Sequence, residues 1–151
     1  MANDDDSRYA ALVGKFRELG CSDPDGWARS EIDEGVPQLA RFVFLRELWN
    51  LVITHETSRK LNEYAGSNDD GRGGALRRLK ECGINRNDLL TIVREAQIDV
   101  IHGVVSLLDE LVEVHPDVQW SLYEVDEEFR PMRVIDGLHE SIDDEDVMSK
   151  P

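Results

Sequence analysis

A chain of 151 residues with 40% hydrophobic composition and a formal net charge of −15 falls within the common size of one globular domain and needs no disulfide or metal staple to hold a core. No window reaches the 18 or more continuous apolar residues of a membrane span, and MANDDDSRYA lacks a basic stretch followed by an apolar run, so a cytoplasmic protein that stays out of the membrane is expected. From Met1 to Arg94 there are 16 acids against 14 bases, whereas from Glu95 to Asp146 there are 16 acids against only Arg130 and Arg133; that balance argues against direct nucleic-acid binding, which runs on Lys and Arg at phosphates, and favours a basic protein surface as partner.

In chain order, the acids and Ser7 at the start cap a first helix carrying Tyr9, Leu12, Val13, Phe16 and Leu19 at helical spacing, closed by Gly20. SDPDGWARSEIDEG reads as a short helix opened by a capping residue and Pro24, anchored by Trp27 and Ile32, and stopped at Gly35. From Val36 to Ile53 comes the most apolar window, in which Phe42, Phe44, Leu45, Leu48, Trp49, Leu51, Val52 and Ile53 cover more than half of a helical circumference. This central helix is expected to be buried on several sides, and it could run on towards Gly66. SNDDGRGG reads as a loop, and ALRRLKECG as a short helix on Leu76 and Leu79.

Asn85 or Asn87 caps a second long helix from Asp88 to about Val112, with Leu89, Ile92, Val93, Ala96, Val100, Val104, Leu107, Leu108 and Leu111 as its apolar arc. It should lie against the first long helix. Beyond Pro116 the period shifts towards 2: VQWSLYEVD and MRVID form a hairpin around DEEFRP, with Trp120 and Leu122 on one face and Tyr123 and Val125 on the other. LHESI supplies one helical turn. The composition predicts one mainly α (α+β) domain over residues 1–142 and an acidic flexible tail over 143–151.

Cys21 and Cys82 lie outside any CxxC spacing and read as free thiols, and no cofactor or metal is expected. Asp99, His102 and Ser106 share one helix face at three- and four-residue steps. A single carboxylate-x-x-His on a polar face, with no second copy, reads as a solvated surface rather than a di-metal site, and an open helix lacks the oxyanion donors of a triad. Arg94 and Gln97 interrupt the apolar arc and must find partners, either main-chain groups or hairpin carboxylates such as Glu124 and Asp126. His139 beside Glu140 has acid–base chemistry but also needs a pocket. Arg72, Arg77, Arg78 and Lys80 beside the glycines lack the P-loop ending and read as a solvated face.

The run from Cys82 to Ser141 comprises CG, a capped helix with R-x-x-Q, an aromatic strand ending E-V-D, a turn with Pro131, and GLHES. It resembles small uncharacterised bacterial proteins that carry a domain of unknown function. The resemblance implies no activity, and it singles out Arg94, Gln97, Glu124, Asp126, His139 and Glu140 as candidate ligand-binding positions.

Two functions follow as expectations. The leading one is a non-enzymatic interaction or inhibitor protein, immunity-like, antitoxin-like or a nucleic-acid mimic, that meets a basic partner through Glu124, Glu127 and Glu128. The alternative is a small-ligand-binding protein or enzyme with a pocket between the long helix and the hairpin. A homodimer is expected, because the wide apolar stripe of Val36 to Ile53 calls for more cover than this chain supplies; its contact would use that stripe or the face from Leu89 to Leu111.

Overall fold

Local caps and breaks set the element boundaries in the computed structural model, which describes residues 4–54, 59, 71–109 and 117–148. Acidic residues at the start of α1 (Asp4–Glu18) and Lys15 and Arg17 in its last turn complement its dipole, and Gly20, at φ 76°, supplies the left-handed stop. In α2 (Pro24–Glu34) the Asp23 carboxylate accepts the Gly26 N–H at 2.9 Å and caps the first turn. Pro37 precedes α3 (Gln38–Asn50). Further on come α4 (Arg72–Glu81) and α5 (Arg86–Leu108), the latter capped by Asn85, which accepts from the Asn87 N–H at 2.8 Å. Strands β1 (Leu122–Val125) and β2 (Pro131–Ile135) pair antiparallel, with Leu122 opposite Ile135, Tyr123 opposite Val134, and a bulge between Tyr123 and Val125. A single 3-10 turn, Leu138–Glu140, follows. The protein is mainly helical with a C-terminal hairpin, as its periodicity predicts. Among the described residues no helix is long and apolar enough to cross a membrane.

Phe42 sits at the middle of the core, edge-on to Phe16 at 5.5 Å and to Trp27 at 5.2 Å between ring centroids. Such geometry adds to the area each ring buries. The same buried cluster takes in Leu45, Trp49 and Val52, then Ile101 and Val105 of α5, Ile135 of β2, and Leu138, Ile142 and Val147 beyond it. Burial of each large aliphatic or aromatic side chain contributes roughly 1.5–3 kcal/mol.

Several expectations are corrected. The central helix ends at Asn50, and Leu51, counted in its stripe, is 69% exposed; its expected continuation towards Gly66 lies, from residue 55 on, outside the described residues apart from Arg59. GRGG is not all loop, since α4 starts at Arg72 and Gly73 and Gly74 are buried in its first turn. The inward arc of α5 has Leu90, Ile101 and Val105 buried and Arg94, Gln97, Ile98 and Leu108 half-buried, while Ile92 and Val100, expected inside, are exposed. This helix meets α3 at its C-terminal end, through Arg94 and Gln97. Residues 143–148 are not a solvated tail: Val147 is fully buried and Met148 packs on the core. An open row of N–H groups at the α1–α2 connection recruits the Asp146 carboxylate and brings the apolar pair after it inside.

Candidate functional site

The C-terminal layer, from the hairpin to Met148, is held to the helices by a series of polar ties that run from buried to exposed. Alternation along β1 and β2 turns Glu124 and Arg133 inward with Leu122 and Ile135. Arg133 donates Nε to Glu124 at 2.7 Å and Nη2 to Glu124 at 3.2 Å, and Nη2 also lies 3.0 Å from Glu31 Oε1. The Glu31 side chain on α2 is only 3% exposed. Its other oxygen accepts the Leu39 N–H at 2.9 Å, which satisfies an open donor at the start of α3. The Glu124 hydrogen bond, against the opposing effect of burial, and then Glu31 push the Arg133 guanidinium above its usual value. It is a fixed cation.

Arg41, buried on α3, donates to the Gly137 carbonyl and lies 3.4 Å from both Glu140 Oε2 and Ser141 Oγ. Gly137 has φ 63°, and a Cβ there would stand 3.0 Å from Arg41 Nη2 and 3.1 Å from Glu140 Oε2. Next to this tie the Asp109 carboxylate, 2% exposed where α5 ends, accepts the His139 N–H at 2.8 Å and faces the ring Nδ1 at 2.7 Å. Its second oxygen is buried with no partner among the described residues. Trp49 Nε1 donates to the Ile142 carbonyl at 2.7 Å.

Asp146 closes the layer. Oδ1 accepts the Ser22 N–H at 2.7 Å, and Oδ2 accepts the Asp23 N–H and the Cys21 thiol, both at 3.3 Å. Burial alone would raise the Asp146 pKa, but these donors, Ser22 first, outweigh it and hold the carboxyl below its ordinary range. The Cys21 thiol is pushed up to about 12, by burial first and then by the Asp146 hydrogen bond.

The residues singled out by sequence fall on separate ties. Arg94 Nη1 donates to the Ile53 carbonyl at 2.9 Å; Gln97 accepts the Ile53 N–H at 2.8 Å and donates to the Leu51 carbonyl at 3.4 Å. Both cap the end of α3 through main-chain groups, one of the two partner types expected, and neither reaches the hairpin carboxylates. Glu124 is engaged by Arg133, and Glu140 stands beside Arg41. Asp126 organises the hairpin turn: Oδ1 accepts the Glu128 and Arg130 N–H groups at 2.9 Å, and Oδ2 accepts Arg130 Nε at 2.7 Å. The Arg130 N–H is the first cause of its lowered pKa. Among the described residues no hydrogen bond or ion pair joins any two of Arg94, Gln97, Glu124, Asp126, His139 and Glu140. Glu128 pairs with Arg130, while Glu127 is exposed at the turn.

Glu31, Gln38, Arg41, Asp109 and Asp146 were not singled out by sequence. The only signal is that Gln38 and Arg41, three apart, share one face at the start of the most apolar window. His102 Nε2 lies 3.2 Å from Asp143, and Ser106 donates to its own helix at His102 O, so no triad assembles with Asp99. The Asp109–His139 pair has the geometry by which a carboxylate orients an imidazole. Among the described residues no serine or cysteine hydrogen-bonds to that ring, since Ser141 and Cys21 are turned to Arg41 and Asp146. A shallow cleft of about 390 Å³ lies between α1 and α2, lined by Asp5, Asp6, Tyr9, Arg29, Ile32 and Asp33. None of the sequence candidates lines it. Comparison of the chain with protein-family models, curated proteins and solved structures returns no match.

Proposed function

We propose that the chain is a non-enzymatic interaction protein, of immunity, antitoxin or nucleic-acid-mimic type, whose acidic C-terminal layer docks on a basic protein. The observation that carries this reading is electrostatic. From Asp117 to Met148 there are 11 acids against two bases, and both bases, Arg130 and Arg133, are already matched by carboxylates of the hairpin itself. A one-signed surface steers encounter with an oppositely charged partner and rejects like-charged ones. The polar ties hold those carboxylates on packed elements rather than on a loose tail, which limits the ordering cost of docking.

The test is capture from the cells that make the protein, with immobilised full-length chain at about 50 mM and about 500 mM salt. A basic protein held at low salt and released at high salt supports the reading, provided that Glu127→Lys with Glu128→Lys loses it while Glu18→Lys with Glu81→Lys, an equal charge change elsewhere, keeps it. Retention that ignores the first pair, or no retained protein, overturns it.

A homodimer belongs to the same reading. Ile92, Ala96, Val100, Gly103 and Leu107 form an exposed stripe along α5 at four- and three-residue steps. The small side chains allow a second helix to approach closely, and a stripe of this spacing suits a helix seam. Light scattering of the parent and of Val100→Glu tests it: the expected masses are two chains and one.

A further inference from the structure

The hairpin has its polarity inverted. A sheet with one face on a core ordinarily turns apolar residues inward and polar ones to water, yet here the inward positions hold the Glu124–Arg133 ion pair as well as Leu122 and Ile135. Tyr123, Val125, Met132 and Val134 face solvent on the other side. At the tip Phe129 is 85% exposed with φ 61°, a left-handed position that Gly, Asn or Asp takes at less cost. Its N–H bonds the Asp126 carbonyl at 3.0 Å, and the Asp126 carboxylate pins the residues around it. The turn therefore displays a large ring from a fixed backbone, and strain kept at an exposed aromatic has no purpose in packing.

The surroundings identify what covers this face. Asp126, Glu127 and Glu128 precede Phe129 and only Arg130 follows it, and that cation, like Arg133, is paired within the hairpin, so the tip keeps a net negative charge. A second copy presenting the same face would bring like charges together. We infer that the outer face of the hairpin is a docking surface for a basic protein with an apolar pocket that receives Phe129, ringed by Lys and Arg side chains opposite Glu127 and Glu128. This rests on the interaction reading above and adds the contact that holds the complex. Buried aromatic anchors inside a polar rim carry most of the energy of such interfaces, whereas rim charges govern rate and salt dependence.

The experiment places the photoreactive residue p-benzoylphenylalanine at position 129 of the full chain, with Leu51, an equally apolar exposed position on another face, substituted as the control. Both proteins are irradiated in lysate of the cells that make the chain, and the adducted protein is identified, purified and titrated. The expected result is one predominant adduct from position 129, absent from position 51, whose crosslinked peptide lies in an apolar pocket bordered by Lys and Arg. The purified partner should bind Phe129→Asn at least tenfold more weakly than the parent, with the thermal midpoint of the variant unchanged or higher, and Tyr123→Ser should weaken it as well. If Phe129→Asn and Tyr123→Ser bind like the parent while Glu127→Lys with Glu128→Lys does not, the anchor is refuted and the electrostatic reading stands. If neither set alters binding, both fail. An adduct to a second copy of this chain, equal adducts from both positions, or none from position 129 overturns the inference.

Discussion

Asp146 shows how far one carboxylate organises this chain. It joins residues more than a hundred positions apart in sequence by accepting from Cys21, Ser22 and Asp23. Because its pKa is lowered in the folded state, its contribution is complete above the ordinary carboxylate value of about 4 and is lost as the pH falls through the lower folded value. Asp146→Asn should therefore cost about 1–2 kcal/mol at neutral pH, the scale of charge-assisted hydrogen bonds at a partly exposed site. The urea midpoints of parent and variant should converge as the pH falls below the ordinary carboxylate range and through the lowered folded value. The same residue protects Cys21, whose thiol is pushed up to about 12 and stays protonated, while Cys82 is exposed. A thiol-reactive disulfide at pH 8 should label one cysteine of the native parent and both in denaturant, and Asp146→Asn should speed labelling of the second. Phe129 makes the opposite case, a residue that is costly where it stands. Phe129→Asn should raise stability by about 0.5–1 kcal/mol by relieving the left-handed backbone, read from the same urea curves.

Among the elements, the hairpin was the most legible in sequence because a period of two assigns each side chain to one of two faces. Tyr123 and Val125 lie opposite Leu122 as alternation requires. What the pattern left open was which face carries polar groups inward, and Arg133 settles that by reaching the buried Glu31. Glu31→Ala would leave the Leu39 N–H without its acceptor and Arg133 with Glu124 alone, and should cost about 2–4 kcal/mol. Glu31→Met with Glu124→Leu and Arg133→Leu should cost less than the single change, since no carboxylate or guanidinium of this three-residue cluster is then left alone; thermal melts of the two variants decide. Helix α5 was less legible. Apolar residues surround it so fully that two stripes fit a helical period, and the inward one runs through Arg94 and Gln97. Those polar groups are at home there only because α3 ends at Asn50 and leaves main-chain groups of Leu51 and Ile53 to be capped. Nothing local to α5 encodes that ending. The candidate site shared the difficulty: residue types showed which groups needed partners, while the partners came from elements far away in sequence.

At the scale of the molecule, the acidic third is structural as well as charged. Composition made residues 143–151 look like a tail, because the carboxylates of DDED outnumber the apolar side chains after them; Val147 and Met148 nonetheless seal the core. Removing residues 143–151 should cost roughly 3–5 kcal/mol, from lost apolar burial and the Asp146 hydrogen bonds. A urea midpoint unchanged by that truncation would show that the segment does not hold the fold. The charge that folding concentrates on this layer opposes self-association there and favours a basic partner. Hydrogen exchange of the full chain, alone and with the basic protein proposed as its partner, maps the contact most directly. The account predicts slowed exchange from 121 to 135, centred on the hairpin turn and reversed by high salt. Protection confined to the α1–α2 cleft around Tyr9 and Arg29, or no protection of the hairpin at all, would contradict it.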